Sequence, residues 1–200
     1  MTKIIFATGN IGKVNEIREI LKDLEAEVIT MKEAGIDIEV DENGSTYEEN
    51  AVLKAKAVMG ASGCLTLADD SGLEIDYLGK EPGIHSARYM GHDTSYDIKN
   101  RSFLEKLEGV PDEQRTARFV CAIAAAFPDG RIETVRATME GQIAREIAGG
   151  NGFGFDPIFF LPDRGCTSAE ISPEEKNAIS HRGKALRLMR DRLIELGELK

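Results

Sequence analysis

Two carboxylates, Asp69 and Asp70, stand side by side between the apolar run Leu65-Thr66-Leu67-Ala68 and the pair Ser71-Gly72. Adjacent carboxylates repel one another unless a cation or a turn employs both, so the pair points to chemistry. Asp41-Glu42 form a second acidic pair, ahead of a helix whose dipole favours carboxylates in that place whatever the function. Between them the two pairs could ligate Mg²⁺, which takes one or two carboxylates plus phosphate oxygens and waters, and leave a carboxylate as general base. A third set, Thr8-Gly9-Asn10-Ile11-Gly12-Lys13, separates an apolar strand pattern from a helical one. Glycines let backbone N–H groups approach a phosphate, a helix N-terminus adds partial positive charge, and Thr8, Asn10 and Lys13 add donors and a full charge. The set is shorter than a Walker A loop and is not GxGxxG, so alone it fits an ordinary strand-to-helix turn equally well.

The last set is Gly152-Phe153-Gly154-Phe155-Asp156-Pro157, Lys176 and Ser180-His181-Arg182-Gly183. An aromatic ring on a glycine-flanked loop can stack on a purine, and His and Arg donors favour a 6-keto purine over adenine, whose 6-amino group is itself a donor. The plainer reading puts Phe155 in the core and His181-Arg182 at a surface helix start. Lys54 and Lys176, taken singly, read as solvated.

The elements that must hold these residues follow from periodicity. Lys3 to Thr8 is a buried-strand pattern, and Val14, Ile17, Leu21 and Leu24 then recur at helical spacing before a second strand at Glu27 to Met31. Ser45-Thr46-Tyr47-Glu48 has capping-box spacing for a helix running to about Gly60, with Asn50 and Lys54 on one face. Leu65 to Ala68 is a strand ending in a turn at Asp69 to Gly72. A helix from Thr94 to Leu107 precedes a strand at Arg118 to Phe127, a turn at Pro128-Asp129-Gly130 and a strand at Arg131 to Met139, a hairpin that makes the sheet mixed. The strand Pro157 to Leu161, a helix opened by Ser172-Pro173-Glu174-Glu175 and a last helix from near Ser180 complete an α/β pattern with no repeat or linker.

Composition sets the outer bounds. The chain has 200 residues, 42% of them hydrophobic, enough for a real core. A net charge of −10 argues against a polynucleotide partner, which is bound by Lys and Arg clustered over a face. No apolar run has membrane-span or signal-peptide length, and the three cysteines, Cys64, Cys121 and Cys166, have no disulfide or zinc spacing. A cytoplasmic protein is expected, with Cys121 in the core.

Read in order, Thr8 to Lys13, Tyr47-Glu48-Glu49-Asn50-Ala51-Val52-Leu53-Lys54-Ala55, Ala68-Asp69-Asp70-Ser71-Gly72-Leu73, Pro82-Gly83-Ile84-His85-Ser86-Ala87-Arg88, Gly152 to Pro157 and Ser180 to Gly183 closely resemble the inosine triphosphate pyrophosphatase family. The resemblance runs from Ile4 to Leu193. It implies one domain over residues 1–200, an elongated α/β fold with a long twisted mixed sheet flanked by helices, two lobes around a nucleotide-binding cleft, and a homodimer. It also implies Mg²⁺-dependent hydrolysis of ITP, dITP and XTP to the monophosphate and pyrophosphate. Carried over by position, Thr8, Gly9, Asn10, Ile11, Gly12 and Lys13 match the phosphate loop, Asp70 the proton acceptor and a metal ligand, and Ser71 a substrate contact. Glu42, with Asp41 as rival, matches the second metal ligand. Lys54 and Asp69 match residues supporting catalysis, and Phe153, Gly154, Phe155, Asp156, Lys176, His181 and Arg182 match the base-recognition side. Phe155 stands where many relatives have Tyr, which removes a hydroxyl.

The expected mechanism has Mg²⁺ on Glu42 and Asp70, Lys13 and Lys54 offsetting charge on the leaving pyrophosphate, and a carboxylate activating water. Asp70 cannot serve fully as both inner-sphere ligand and base, so residue types leave Asp69 and Asp70 both open for the second task. A non-catalytic nucleotide sensor could spare a carboxylate, and none is missing here. A phosphoacceptor receiver domain carries its acidic pair after the first strand, whereas Asp69-Asp70 follow a later one. Pyrophosphatase action on modified pyrimidines fits the same residues and is separated by substrate comparison.

Overall fold

The computed structural model describes residues 2–23 and 25–199. Its seven strands form one sheet in the order β2-β1-β3-β4-β5-β6-β7, from β1 (Thr2–Phe6), β2 (Ala26–Thr30), β3 (Leu65–Ile75), β4 (Thr116–Ala126), β5 (Ile132–Ile143), β6 (Phe159–Leu161) and β7 (Cys166–Thr167). The helices are α1 (Ile11–Leu21), α2 (Tyr47–Ser62), α3 (Tyr96–Lys106), α4 (Pro173–Ile179) and α5 (His181–Glu195). β1 runs parallel to β2 and β3, while β6 is antiparallel to β5 and β7, so the sheet is mixed as the hairpin pattern predicts. Among the described residues no helix is long and apolar enough to cross a membrane.

The chain divides into two compact units. The first comprises 1–70, 121–137 and 182–200, the second 71–120 and 138–181. In the first, strand alternation sorts side chains onto two faces. Ile4, Phe6, Leu65, Leu67, Cys121, Ile123 and Phe127 pack with Val14 and Ile17 of α1 and Leu186, Met189 and Leu193 of α5. Ile5, Ala7, Ala68, Ala124 and Ala126 pack on the other face with Ala51, Ala55 and Val58 of α2. Leu24, expected on the α1 stripe, lies outside the described residues. In the second unit Leu73, Phe103, Leu107, Phe119, Ile143, Phe155, Phe159 and Ile171 form one core.

Several boundaries shift by a few residues, as where β5 runs to Ile143 rather than Met139, and two differences bear on the acidic residues. The cap of α2 is Thr46 rather than Ser45: its hydroxyl accepts from Glu49 N, and Glu49 reaches back to Ser45 N. The one-residue shift follows from the backbone: Thr46 is extended, with φ −133° and ψ 160°, and so stands outside the helix that Tyr47 opens. The second concerns the acidic pair. β3 does not turn at Asp69; it runs on to Ile75, with both aspartates inside it. By contrast the capping box at Ser172 and Glu175 is present as read.

Candidate active site

Strand geometry explains how β3 accommodates adjacent carboxylates. Successive side chains point to opposite faces, so Asp69 continues the Leu65, Leu67 row toward α1 and α5, and Asp70 continues the Thr66, Ala68 row toward α2. Asp69, 1% exposed, is met by Lys13 Nζ at 2.8 Å and Arg182 Nε at 3.4 Å. Asp70, 8% exposed, accepts from Asn50 Nδ2 at 3.1 Å and lies 3.9 Å from Lys54 Nζ. The partners separate the two groups electrically. Burial pushes the Asp69 carboxyl up, but Lys13, Arg182 and Lys54 outweigh it and hold the group well below the usual range. At Asp70 burial prevails over Lys54 and Asn50, with Glu42 and Asp69 adding to it, so that carboxyl lies above its ordinary value. Two adjacent carboxylates thus differ in proton affinity, Asp69 lowered and Asp70 raised.

The loop beside them is set by register. Phe6 pairs with Leu67, and Ala7 N donates to Leu67 O, which brings the chain from Thr8 onward level with Asp69. Asn10 caps α1 by accepting from Gly12 N at 2.9 Å and Lys13 N at 3.3 Å, and Thr8 Oγ1 accepts from Asn10 N. The cap turns Lys13 toward the sheet. A Cβ built on Gly9 meets nothing within 4 Å, so the loop backbone borders open space there.

The acidic pair ahead of α2 resolves by alternation as well. From Ile36 to Glu42 the even residues are half-buried and the odd ones exposed. Glu42 accordingly faces inward and pairs with Lys54 at 3.1 Å, whereas Asp41 is exposed and its nearest partner is Asn43. Asn50 ties this segment to β3, accepting from Gly44 N at 2.8 Å while donating to Asp70. Among the described residues no three His, Cys, Asp or Glu side chains gather as a metal cluster. The donor set nevertheless suits a hard divalent ion. Glu42 and Asp70 flank one lysine, and Asp70 is short of positive charge; two carboxylates with phosphate and water are what Mg²⁺ accepts.

The second unit gathers the other candidates. Gly152 has φ +73°, and a Cβ there would lie 2.2 Å from Asp156 Oδ2, so glycine is required. Asp156 is buried, pairs with Lys176, and accepts from Phe153 N at 2.8 Å. The ammonium of Lys176 stands 4.9 Å from the Phe153 ring centre. Phe153 is 42% exposed and presents a ring to solvent, whereas Phe155 is 4% exposed and belongs to the core. Stacking can therefore use Phe153, and Phe155 acts as the foot of the loop. His181 is buried against Phe119, rings stacked at 4.9 Å. Arg182, next in the chain, belongs to the first unit, where it bonds Glu16 at 2.9 Å and Asp69. One residue of advance at the start of α5 turns a side chain about 100°, which carries Arg182 to the Asp69 side of β3. Ser71 is half-buried directly after Asp70.

Glu16 is the group that sequence reading missed. Its signal was faint: a charged residue one turn past Lys13, at a spacing that also fits a solvated helix face. Cys121 is buried on the Asp69 side, its thiol pushed up to about 12 by burial and by Asp69, so it packs as a neutral group.

The chain is similar to known proteins over nearly its whole length. The chain is 45% identical over 199 residues to a dITP/XTP pyrophosphatase of Clostridium perfringens, covering 96% of this chain and 98% of the relative. It is 50% identical over 185 residues to a dITP/XTP pyrophosphatase of Exiguobacterium sibiricum, covering 92% and 93%. A solved HAM1 protein from Coxiella burnetii superposes with a TM-score of 0.90 at 42% identity, over 98% of this chain and all of that one. Residues 4–192 match the Ham1 family, and to that family the chain belongs.

Proposed function

We propose that this protein hydrolyses nonstandard purine nucleoside triphosphates, ITP, dITP and XTP, to the nucleoside monophosphate and pyrophosphate, and so clears them from the nucleotide pool. The observation that carries the reading is the division of labour in β3: a buried, charge-locked Asp69 beside an Asp70 whose proton affinity is raised. The relatives' names supply the substrate class.

In the reaction Asp70 takes a proton from water, the water oxygen bonds to phosphorus at the α–β bridge, and the bridging oxygen leaves with its electron pair. Lys54, beside Asp70, and Lys13, at the phosphate loop, offset the charge that grows on the departing group. Thr8, Gly9, Asn10, Ile11, Gly12 and Ser71 hold the triphosphate. Glu42 would hold Mg²⁺ directly and Asp70 through water, which leaves the Asp70 carboxylate for the proton; the ion when bound would supply a Lewis acid for the phosphate oxygens. Asp41, turned to solvent, has no part in that set. Phe153 offers a ring to the purine, with Gly154, Asp156 and Lys176 framing the same loop, and His181 is assigned to the base side with them. Phe155 and Arg182 support their sites from beneath.

The same reading makes the protein a cytoplasmic homodimer of two 21.9-kDa chains, checked by sedimentation. The function is tested by pyrophosphate release from ITP, XTP, dUTP and ATP with Mg²⁺. Preference for ITP and XTP is expected. Equal turnover of ATP, or preference for dUTP, would sink the purine assignment.

A further inference from the structure

The base loop of the second unit is held by a helix that the functional reading leaves unused. α3 begins at Tyr96, capped by Ser95, and Asn100 one turn on donates to Gly154 O at 3.1 Å. Tyr96 meets the same glycine from its other end. A Cβ on Gly154 would lie 3.5 Å from Tyr96 Cε1 and 3.7 Å from Cζ, the carbon that bears the hydroxyl. The phenol therefore sits at the glycine between Phe153 and Phe155.

Its placement is fixed. The ring stands edge-on to Phe155 at 5.1 Å and 83°, and the Lys99 ammonium, itself buried, lies 4.9 Å from its centre while donating to Ala87 O. With one side against Phe155 and a cation over its face, the ring cannot turn without losing both contacts. It is nonetheless 38% exposed, and among the described residues nothing bonds its hydroxyl. Burial of the ring raises the hydroxyl's pKa, so it stays a neutral donor and acceptor. Phe155 has no hydroxyl to offer in that place.

We propose that Tyr96 is a substrate-binding residue whose hydroxyl bonds the polar edge of the purine base carried by Phe153. The inference rests on the purine triphosphate reading and adds to it a contact from α3. A phenol can donate to a ring carbonyl or nitrogen and accept from a ring N–H, so it suits the edge of any 6-keto purine.

The test is Tyr96→Phe, which keeps the ring and its packing. Because a net neutral hydrogen bond far from the reacting phosphorus contributes equally to ground and transition states, KM for ITP should rise about three- to tenfold with kcat unchanged. Inhibition by IMP, which carries the base, should weaken by the same factor, and inhibition by inorganic pyrophosphate should not move. An unchanged KM for ITP overturns the proposal. So does equal weakening of IMP and pyrophosphate, which would mark Tyr96 as structural. If the wild-type protein releases no pyrophosphate from ITP or XTP, the functional reading itself has failed, a result seen before the variant is compared.

Discussion

Asp69 and Asp70 are consecutive in β3 and project from opposite faces of the sheet, Asp69 onto Lys13 and Arg182, Asp70 onto Asn50 and Lys54. Opposite partners give one residue type two behaviours, and substitution should separate them.

Asp70→Asn should lower kcat for ITP by about 10²–10⁴-fold, the usual contribution of a general base, while ITP still binds. Its stability should move the other way. Burial holds the Asp70 carboxyl above its ordinary value, so the stability linked to it is present below the unfolded-state value and lost as pH rises through the folded one. A neutral Asn avoids that loss. In EDTA at pH 7 the variant should melt no lower than wild type by calorimetry.

Asp69→Asn should cost about 1–3 kcal/mol, because it removes one of the two carboxylates, Asp69 and Glu16, that face the buried Arg182 guanidinium, together with the partner of Lys13. Here the folded carboxyl titrates low. The stability it contributes is present above the unfolded-state value and lost as pH falls through the folded one. In urea melts the gap between wild type and variant should therefore be full at pH 7 and still largely present at pH 3.5, where the folded carboxyl stays ionised.

Glu42→Gln and Asp41→Asn differ by one position and should differ in effect. Glu42 faces Lys54, and its loss should raise the Mg²⁺ concentration needed for half-maximal rate by about tenfold or more. Asp41 points to solvent, and its variant should follow wild type within twofold. Mg²⁺ titrations of initial rate decide between them.

Lys176→Met should destabilise the protein by about 3 kcal/mol, since it strands the buried Asp156. The Phe153 loop hangs on that carboxylate through its backbone N–H, so KM for ITP should rise more than kcat falls.

Much of this was legible beforehand. The 3.6-residue stripe Val14, Ile17, Leu21 forced α1, the Ser172 box opened α4, and Asn50 and Lys54 shared a face that does reach Asp70. The ordered motifs from Thr8 to Gly183 identified the family and with it the chemistry. These features are local: caps, stripes and turns act between residues a few positions apart, so residue order alone carries them.

Tertiary structure decided the rest. Whether β3 ended at Asp69 depended on distant counter-charges from Lys13 and Arg182 that let a strand keep a buried carboxylate. Whether Asp41 or Glu42 faced the site depended on which alternate row packed inward, and whether Phe153 or Phe155 showed its ring depended on a core built from Phe103 and its neighbours. Each choice turns on partners remote in sequence, whose proximity exists only once the sheet has formed.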